Sequence, residues 1–174
     1  MIGDDTLSLR AVEPADVDLL YNWENQMEIW TVGNTLAPFS KAVLEKYVKH
    51  ATLDLYQTKQ LRLMIDAMVD GHKTTIGMID LFDFDPYHSR AGVGILINQA
   101  FRHQGFAGKA LQVFIDYCFT HLRLHQIYCS VTANNDASIK LFESQGFTRS
   151  GVKRDWRKTA TGYVDEIIYQ MIQK

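Results

Sequence analysis

The stretch that constrains this chain most runs from Ile95 to Ala110. The apolar Ile95, Leu96 and Ile97 give way to a polar, glycine-bearing loop, and a helix starts directly behind it. Leu111, Phe114, Ile115, Cys118, Phe119 and Leu122 follow at i, i+3, i+4 spacing, one buried stripe. A further apolar run, Gln126 to Thr132, comes next. A helix of that length between two strands is long enough for a crossover, so the strands on either side are expected to be parallel neighbours.

The rest of the chain arranges itself around that pair. Thr6 to Val12 alternates as a first strand, and Glu13-Pro14-Ala15-Asp16 opens a helix carrying Val17, Leu20 and Trp23. Asn25 to Phe39 reads as irregular. Ser40 then caps a helix from Lys41 to about Ala51, with Val43, Leu44, Tyr47 and Val48 on its apolar face. Leu61 to Val69, Thr74 to Phe84 and Arg90 to Ile97 are strands joined by short turns at 70–73 and 85–89, hence an antiparallel meander. Asn134-Asn135-Asp136 caps a second crossover helix that Gly146 ends in a left-handed conformation. Val152 to Trp156 and Tyr163 to Ile172 are the last two strands. The expected class is α/β (α+β): a mixed, mostly antiparallel twisted sheet of about seven strands with about four helices.

At 174 residues the expectation is a single domain spanning 1–174. A hydrophobic content of 47% with 22% charged residues is ordinary for a soluble protein, and a net charge of −2 provides no basic footprint for nucleic acid. Cys118 and Cys129 both fall in apolar settings and read as buried thiols of a reducing compartment. No signal sequence or long apolar span is visible, so no membrane partner and a cytoplasmic location are expected. The six histidines show no metal-ligand spacing, so no metal is expected.

The loop itself is a candidate anion site. A strand feeding a helix presents free N–H groups from about His103 to Gly108 at the positive end of the helix dipole, where phosphate binds well. Gly105 and Gly108 allow close approach or unusual φ/ψ, and Arg102 and Lys109 bracket the turn with positive charge. It is not a nucleotide-triphosphate loop: Gly108-Lys109 is followed by Ala110, and no Gly stands five residues before Gly108. Nor is it the three-glycine dinucleotide fingerprint, whose first position here is His103. The plain alternative is an ordinary strand-to-helix turn.

Two motifs resemble those of the GNAT superfamily of acetyl-CoA-dependent N-acetyltransferases. Arg102-His103-Gln104-Gly105-Phe106-Ala107 is similar to that family's Q/R-x-x-G-x-G/A loop, and Asn135 to Phe147 is similar to its second motif, a capped helix ending in Gly-Phe. The branches it looks most like acetylate polyamines such as spermidine, or the N-termini of ribosomal proteins. The resemblance implies acetyl-CoA as cosubstrate, its pyrophosphate held by the 102–109 loop. It implies splayed fourth and fifth strands, with Ile95, Leu96 and Ile97 pairing to the pantetheine arm like an added strand. Asn135, Ser138 and Phe142 would line the same arm, although Asn135 also reads as a helix cap.

The implied reaction is direct attack of an amine on the thioester in a ternary complex. It needs a base, donors for the developing oxyanion and an acid for the leaving thiolate. Relatives often supply the acid from a Tyr where this chain has Phe142, which cannot donate. Water, Tyr128 or Cys129 could replace it, and a backbone N–H near Ile95 could polarise the carbonyl. Many relatives carry Glu where this chain has Gly92. The remaining base candidates are Asp80 and Asp83, with Asp85 nearby. A regular strand would point Asp80 and Asp83 to opposite faces, and a bulge would change that. Each also reads as a solvated strand residue. Glu24, Glu28, Trp30 and Asp165 are candidates for gripping a cationic acceptor.

The function expected is therefore acetyl transfer to a primary amine, a polyamine foremost. The alternatives are a protein N-terminus, an amino sugar, or a catalytically degenerate CoA-binding regulatory domain. A homo-oligomer is left open.

Overall fold

A computed structural model describes residues 2–33, 35–50 and 54–174, with the side chains of 31–33 outside that description. Its strands are β1 (Ile2–Gly3), β2 (Leu7–Ala11), β3 (Leu61–Val69), β4 (His72–Asp85), β5 (Arg90–Ile97), β6 (Gln126–Thr132), β7 (Thr148–Thr159) and β8 (Gly162–Ile172). Its helices are α1 (Val17–Glu24), α2 (Met27–Gly33), α3 (Lys41–His50), α4 (Leu55–Thr58), α5 (Phe106–Asp116) and α6 (Asp136–Ser144). The strands form one sheet in the order β1-β2-β3-β4-β5-β6-β8-β7. Only β5 and β6 run parallel; the other pairs are antiparallel. The class is the mixed α/β fold expected, with eight strands and six helices among the described residues where about seven and four were expected.

The additional elements are short. β1 is two residues long and adds to the edge of β2 opposite Leu9 and Ser8. α2 corrects the expectation that Asn25 to Phe39 is irregular. Trp30 Nε1–H donates to the Glu24 carbonyl at 2.6 Å, and the Asn25 side chain clamps both backbone groups of Phe39 at 2.8 and 3.0 Å. These contacts are tertiary, so periodicity does not reveal the helix. α4 is one turn, capped by Asp54 and stopped by Lys59 in the left-handed region at φ 57°. The expected end of α3 at Ala51, like Asn34, lies outside the described residues. Asp70 and Gly71, at φ 49° and 78°, make a two-residue hairpin turn whose positive dihedrals suit strand twist, so β4 begins two residues earlier than expected.

The sheet has two different faces. Leu63, Ile65, Ile79, Leu81, Val93, Ile127 and Cys129 pack under α5 and α6 in the main core. Met64 and Met78 point the other way and meet Leu20, Trp23, Leu44 and Val48 of α1 and α3. Five further residues, Tyr117–His121, continue α5 as a wider π turn that keeps Cys118 buried. Burial pushes both thiols, Cys118 and Cys129, up to about 12, so neither ionises at neutral pH. No helix among the described residues is long and apolar enough to cross a membrane.

Arg10 ties the second face together. It contacts Asp16 through two nitrogens, at 2.7 and 2.8 Å, and reaches Asp66 at 3.0 Å. Burial opposes ionisation of Asp16, but the Arg10 guanidinium and the Glu13 N–H outweigh it and hold the carboxyl below its usual range. Glu166, buried between Arg157 and Lys153, is lowered in the same manner. A depressed folded-state pKa contributes stability above the unfolded value and loses it as pH falls through the folded one. The urea midpoint is thus expected to hold steady from neutral pH to about pH 5 and to fall below about pH 4. Asp16→Asn should cost about 2 kcal/mol at neutral pH, because Arg10 then keeps only Asp66 as a charged partner, and flatten that acid limb. An unchanged limb would remove Asp16 from the account.

Candidate active site

β5 and β6 pair only at their beginnings, through Arg90↔Gln126, Ala91↔Ile127 and Gly92↔Tyr128. Beyond Gly92, β5 stays with β4 as far as Ile97 and parts from β6. Asn98 N–H donates to the Ile76 carbonyl at 2.9 Å. The alternation of an antiparallel ladder then turns the backbone groups of Leu96 toward β4 and those of Val93, Ile95 and Ile97 into the gap. Leu96 is therefore placed differently from the expectation that all three of Ile95 to Ile97 face a ligand. Arg102 Nε already holds the Ile97 carbonyl at 3.0 Å, pinning the loop to the strand.

The loop follows from local chemistry. Asn98 accepts from Ala100 N–H at 3.0 Å and starts a single turn at Gln99–Phe101. His103 and Gly105 then both take left-handed conformations, at φ 62° and 81°. Gly105 is the N-cap of α5, and Lys109 N–H is the first to return to a carbonyl, that of Gly105 at 3.3 Å. The N–H groups of Phe106, Ala107 and Gly108 thus have no carbonyl one turn behind them and point out of the helix start. A Cβ at Gly105 would meet no described atom within 4 Å, so the space in front of the loop is open. Gly108 instead faces α6, where a Cβ would come 3.5 Å from the Gln145 side chain. His103, Gln104 and Lys109 are exposed, whereas Arg102, Phe106 and Ala107 are half-buried.

Across the gap, Asn135 accepts the Ser138 N–H at 3.1 Å, which is the capping role read from the sequence. Phe142 is buried and meets Phe147 edge-on at 5.1 Å, a purely apolar contact. Cys129 belongs to the core under α5 and α6 and, with its thiol raised, is a poor acid for a leaving group. Tyr128 lies on the opposite face. Its hydroxyl donates to Asp83 at 3.3 Å, and burial, then the Asp83 charge, pushes the phenol above its ordinary range.

Asp83 reaches Tyr128 because β4 bulges. Asp83 sits at φ 49°, and between Phe82 and Asp85 the register shifts so that two residues oppose Ala91 alone. The bulge brings Asp83 to the face that Asp80 and Phe82 also serve, overturning the opposite-face geometry of a regular strand. Asp83 is exposed, whereas Asp80 is gripped by Arg62 through two contacts of 2.7 Å. Arg62 also pairs with Glu24 and lies over the Tyr47 ring at 5.6 Å. Burial works against the Arg62 charge, but Asp80 and Glu24 more than offset it and raise its pKa further.

Two clefts open here. One of about 460 Å³ is lined by Asp83, Asp85, Arg90, Gln126, Tyr128 and Gln170. The other, about 120 Å³, includes Tyr47, Arg62, Asp80 and Phe82 in its lining. The remaining acceptor candidates scatter. Glu24 is committed to Arg62, Trp30 to the Glu24 carbonyl, and Glu28 is exposed on α2. Asp165 is tied to β7 by Arg154 at 2.5 Å and by Asp155 N–H at 3.0 Å. Arg62, Tyr47 and Phe82 were not singled out from the sequence; only the β3–β4 register, Arg62↔Asp80 and Phe82↔Gly92 across β4–β5, brings them forward. Among the described residues no group of three His, Cys, Asp or Glu could hold a metal.

Residues 6–148 match the family described as "Acetyltransferase (GNAT) domain". The chain is 30% identical over 146 residues to the spermidine N(1)-acetyltransferase of Vibrio cholerae, covering 83% of this chain and 80% of that protein. Its fold is similar to the crystal structure of spermidine N-acetyltransferase from Vibrio cholerae in complex with CoA and spermine, with a TM-score of 0.86, 27% identity, and 98% and 97% of the two chains covered. A dodecameric structure of the Vibrio cholerae enzyme, in an intermediate state, matches at a TM-score of 0.79 and 27% identity, over 98% of this chain and 95% of that one.

Proposed function

This chain belongs to the GNAT family of acetyl-CoA-dependent N-acetyltransferases, and from that premise we propose that its acceptor is a polyamine, acetylated by direct attack in a ternary complex. The observation that carries the reading is the parting of β5 from β6. It leaves the Gly105-capped helix at one side of the gap and the Asp83–Tyr128 pair at the other.

The residues of the gap fit the cosubstrate. The N–H groups of Phe106, Ala107 and Gly108 would hold the pyrophosphate, with His103, Gln104 and Gly105 shaping the turn and Arg102 and Lys109 adding positive charge. The gap-facing backbone of Ile95 and Ile97 would hold the amide-bearing arm, with Leu96 supporting them from β4 and Asn135, Ser138 and Phe142 forming the far wall. Acetyl-CoA supplies the acetyl group as a thioester. The Ile95 N–H, which faces the gap, would steady negative charge developing on an oxygen there.

On the acceptor side, Asp83 is the carboxylate that remains open to take a proton from an ammonium group, directly or through water. Tyr128, kept protonated, orients it. Asp80 and Glu24 together outnumber the one charge of Arg62 and leave this face attractive to cations. The similarity to the Vibrio cholerae enzyme solved with spermine supports a polyamine over a peptide N-terminus or an amino sugar. We also read residues 1–174 as one domain, and a homo-oligomer agrees with the dodecameric relative.

Thiol release should be fastest with polyamines when spermidine, spermine, a peptide amine and an amino sugar are compared. Turnover confined to the peptide or the sugar would sink the polyamine reading, and tight CoA binding without any turnover would favour the degenerate domain. Asp83→Asn should lower kcat by about a hundredfold. Because Asp83 is exposed, the same change should leave the unfolding midpoint nearly unmoved. Full activity would return Asp83 to a solvated strand residue.

A further inference from the structure

The two clefts of the acceptor face carry the same sign of charge, and one aromatic ring stands between them. In the wall of the smaller, Arg62 and Asp80 stand side by side, and Glu24 pairs with Arg62 from outside the lining, so the triad is one positive against two negative. In the larger, Arg90 and the His88 ring both contact Asp85, at 3.2 and 2.7 Å, whereas the exposed Asp83 carboxylate takes the neutral Tyr128 hydroxyl and so keeps its charge facing the cleft. Phe82 lines the first cleft, and its ring meets that of Tyr128, which lines the second, at 6.1 Å and 84°.

The ring can lie there because its cross-strand partner, Gly92, has no side chain. A Cβ at position 92 would come 2.2 Å from the Phe82 ring, well inside any tolerable contact. Any larger residue at 92 would therefore drive the ring aside and join the space on its two sides.

We propose that Phe82, seated on Gly92, sets the acceptor specificity of this enzyme: it selects amines with two positively charged nitrogens, one in each acidic cleft, joined by an apolar linker that lies across the ring. The inference rests on the polyamine reading and adds the residue that measures the acceptor. Asp80 and Asp83 are three residues apart, roughly 10 Å along an extended strand and less across the bulge. A monoamine would leave one cleft uncompensated. Methylenes laid on the ring bury apolar surface, and a flanking ammonium gains from the ring face.

Steady-state thiol release with butylamine, diaminobutane and spermidine tests this. The wild-type enzyme should favour spermidine over butylamine in kcat/KM by about tenfold or more. Phe82→Ala should shrink that preference about tenfold, mainly through KM for spermidine, while butylamine changes by less than about threefold. Phe82→Leu keeps apolar volume without the ring and should move the ratio the same way, which covers the case of a poorly folding alanine variant. Gly92→Ala should reproduce the loss by displacing the ring, and should add little on top of Phe82→Ala because nothing remains to be displaced. An unchanged ratio in these variants, or an equal loss on all three amines, overturns the role of Phe82. A wild-type enzyme that treats butylamine and spermidine alike overturns it too, but through the failure of the polyamine reading itself.

Discussion

Gly105→Glu is expected to abolish CoA binding while leaving a folded protein. Gly105 takes φ 81° at the N-cap of α5, so any side chain there adds strain of about 1–2 kcal/mol. A Cβ added there meets no described atom within 4 Å, so the side chain has open space to start into. For the fold, a negative charge at a helix N-terminus is mildly favourable and offsets part of that strain. For the ligand it is the reverse. A carboxylate about 4 Å from a phosphate oxygen opposes it by about 4 kcal/mol at the effective dielectric of a protein surface, or about a thousandfold in affinity. Gly105→Ala carries the strain without the charge and should lose no more than about tenfold. Titration calorimetry with CoA, beside unfolding curves of both variants, separates the two effects. Unchanged affinity in the glutamate variant would show that the pyrophosphate lies elsewhere.

Arg62→Met should produce the largest loss of stability. Glu24 reaches this guanidinium from α1 and Asp80 from β4, so the pair fastens the helix layer to the sheet. Removing one partner strands both carboxylates in a half-buried place, a change that costs about 3–5 kcal/mol in comparable sites. In a chain of this size that corresponds to roughly 10 °C in Tm. Adding Asp80→Gln and Glu24→Gln should recover part of the loss, because neutral amides tolerate the missing charge. An Arg62→Met protein within about 1 kcal/mol of the parent would show that the triad is ornamental to the fold.

Both results turn on features that differ in how far the chain announces them. β3, β5 and β6 begin and end where their apolar patterns do, at Leu61–Val69, Arg90–Ile97 and Gln126–Thr132. Asn135 and Gly146 mark the ends of the second crossover helix, the first as a cap and the second in the left-handed region at φ 92°. The loop proposed for the pyrophosphate belongs to the same group. Its free N–H groups come from a strand, a turn and a helix start that are contiguous in the chain, so no distant contact is needed to predict them.

The acceptor side is different. Arg62 stands 38 positions from Glu24 and 18 from Asp80, and neither interval carries a spacing rule. Phe82 and Gly92 matter only as partners in a register. The bulge at Asp83 arises where β4 must supply two residues against one of β5, a mismatch that exists only once the strands are paired. By itself the sequence determined the crossover, the sheet class and the strand–turn–helix geometry of the 98–109 loop, because hydrophobic period, caps and glycine conformations act within a few residues. The tertiary structure alone decided which carboxylate stays open and which is bound to arginine. Charge pairing and strand register are settled between segments, and no local pattern carries them.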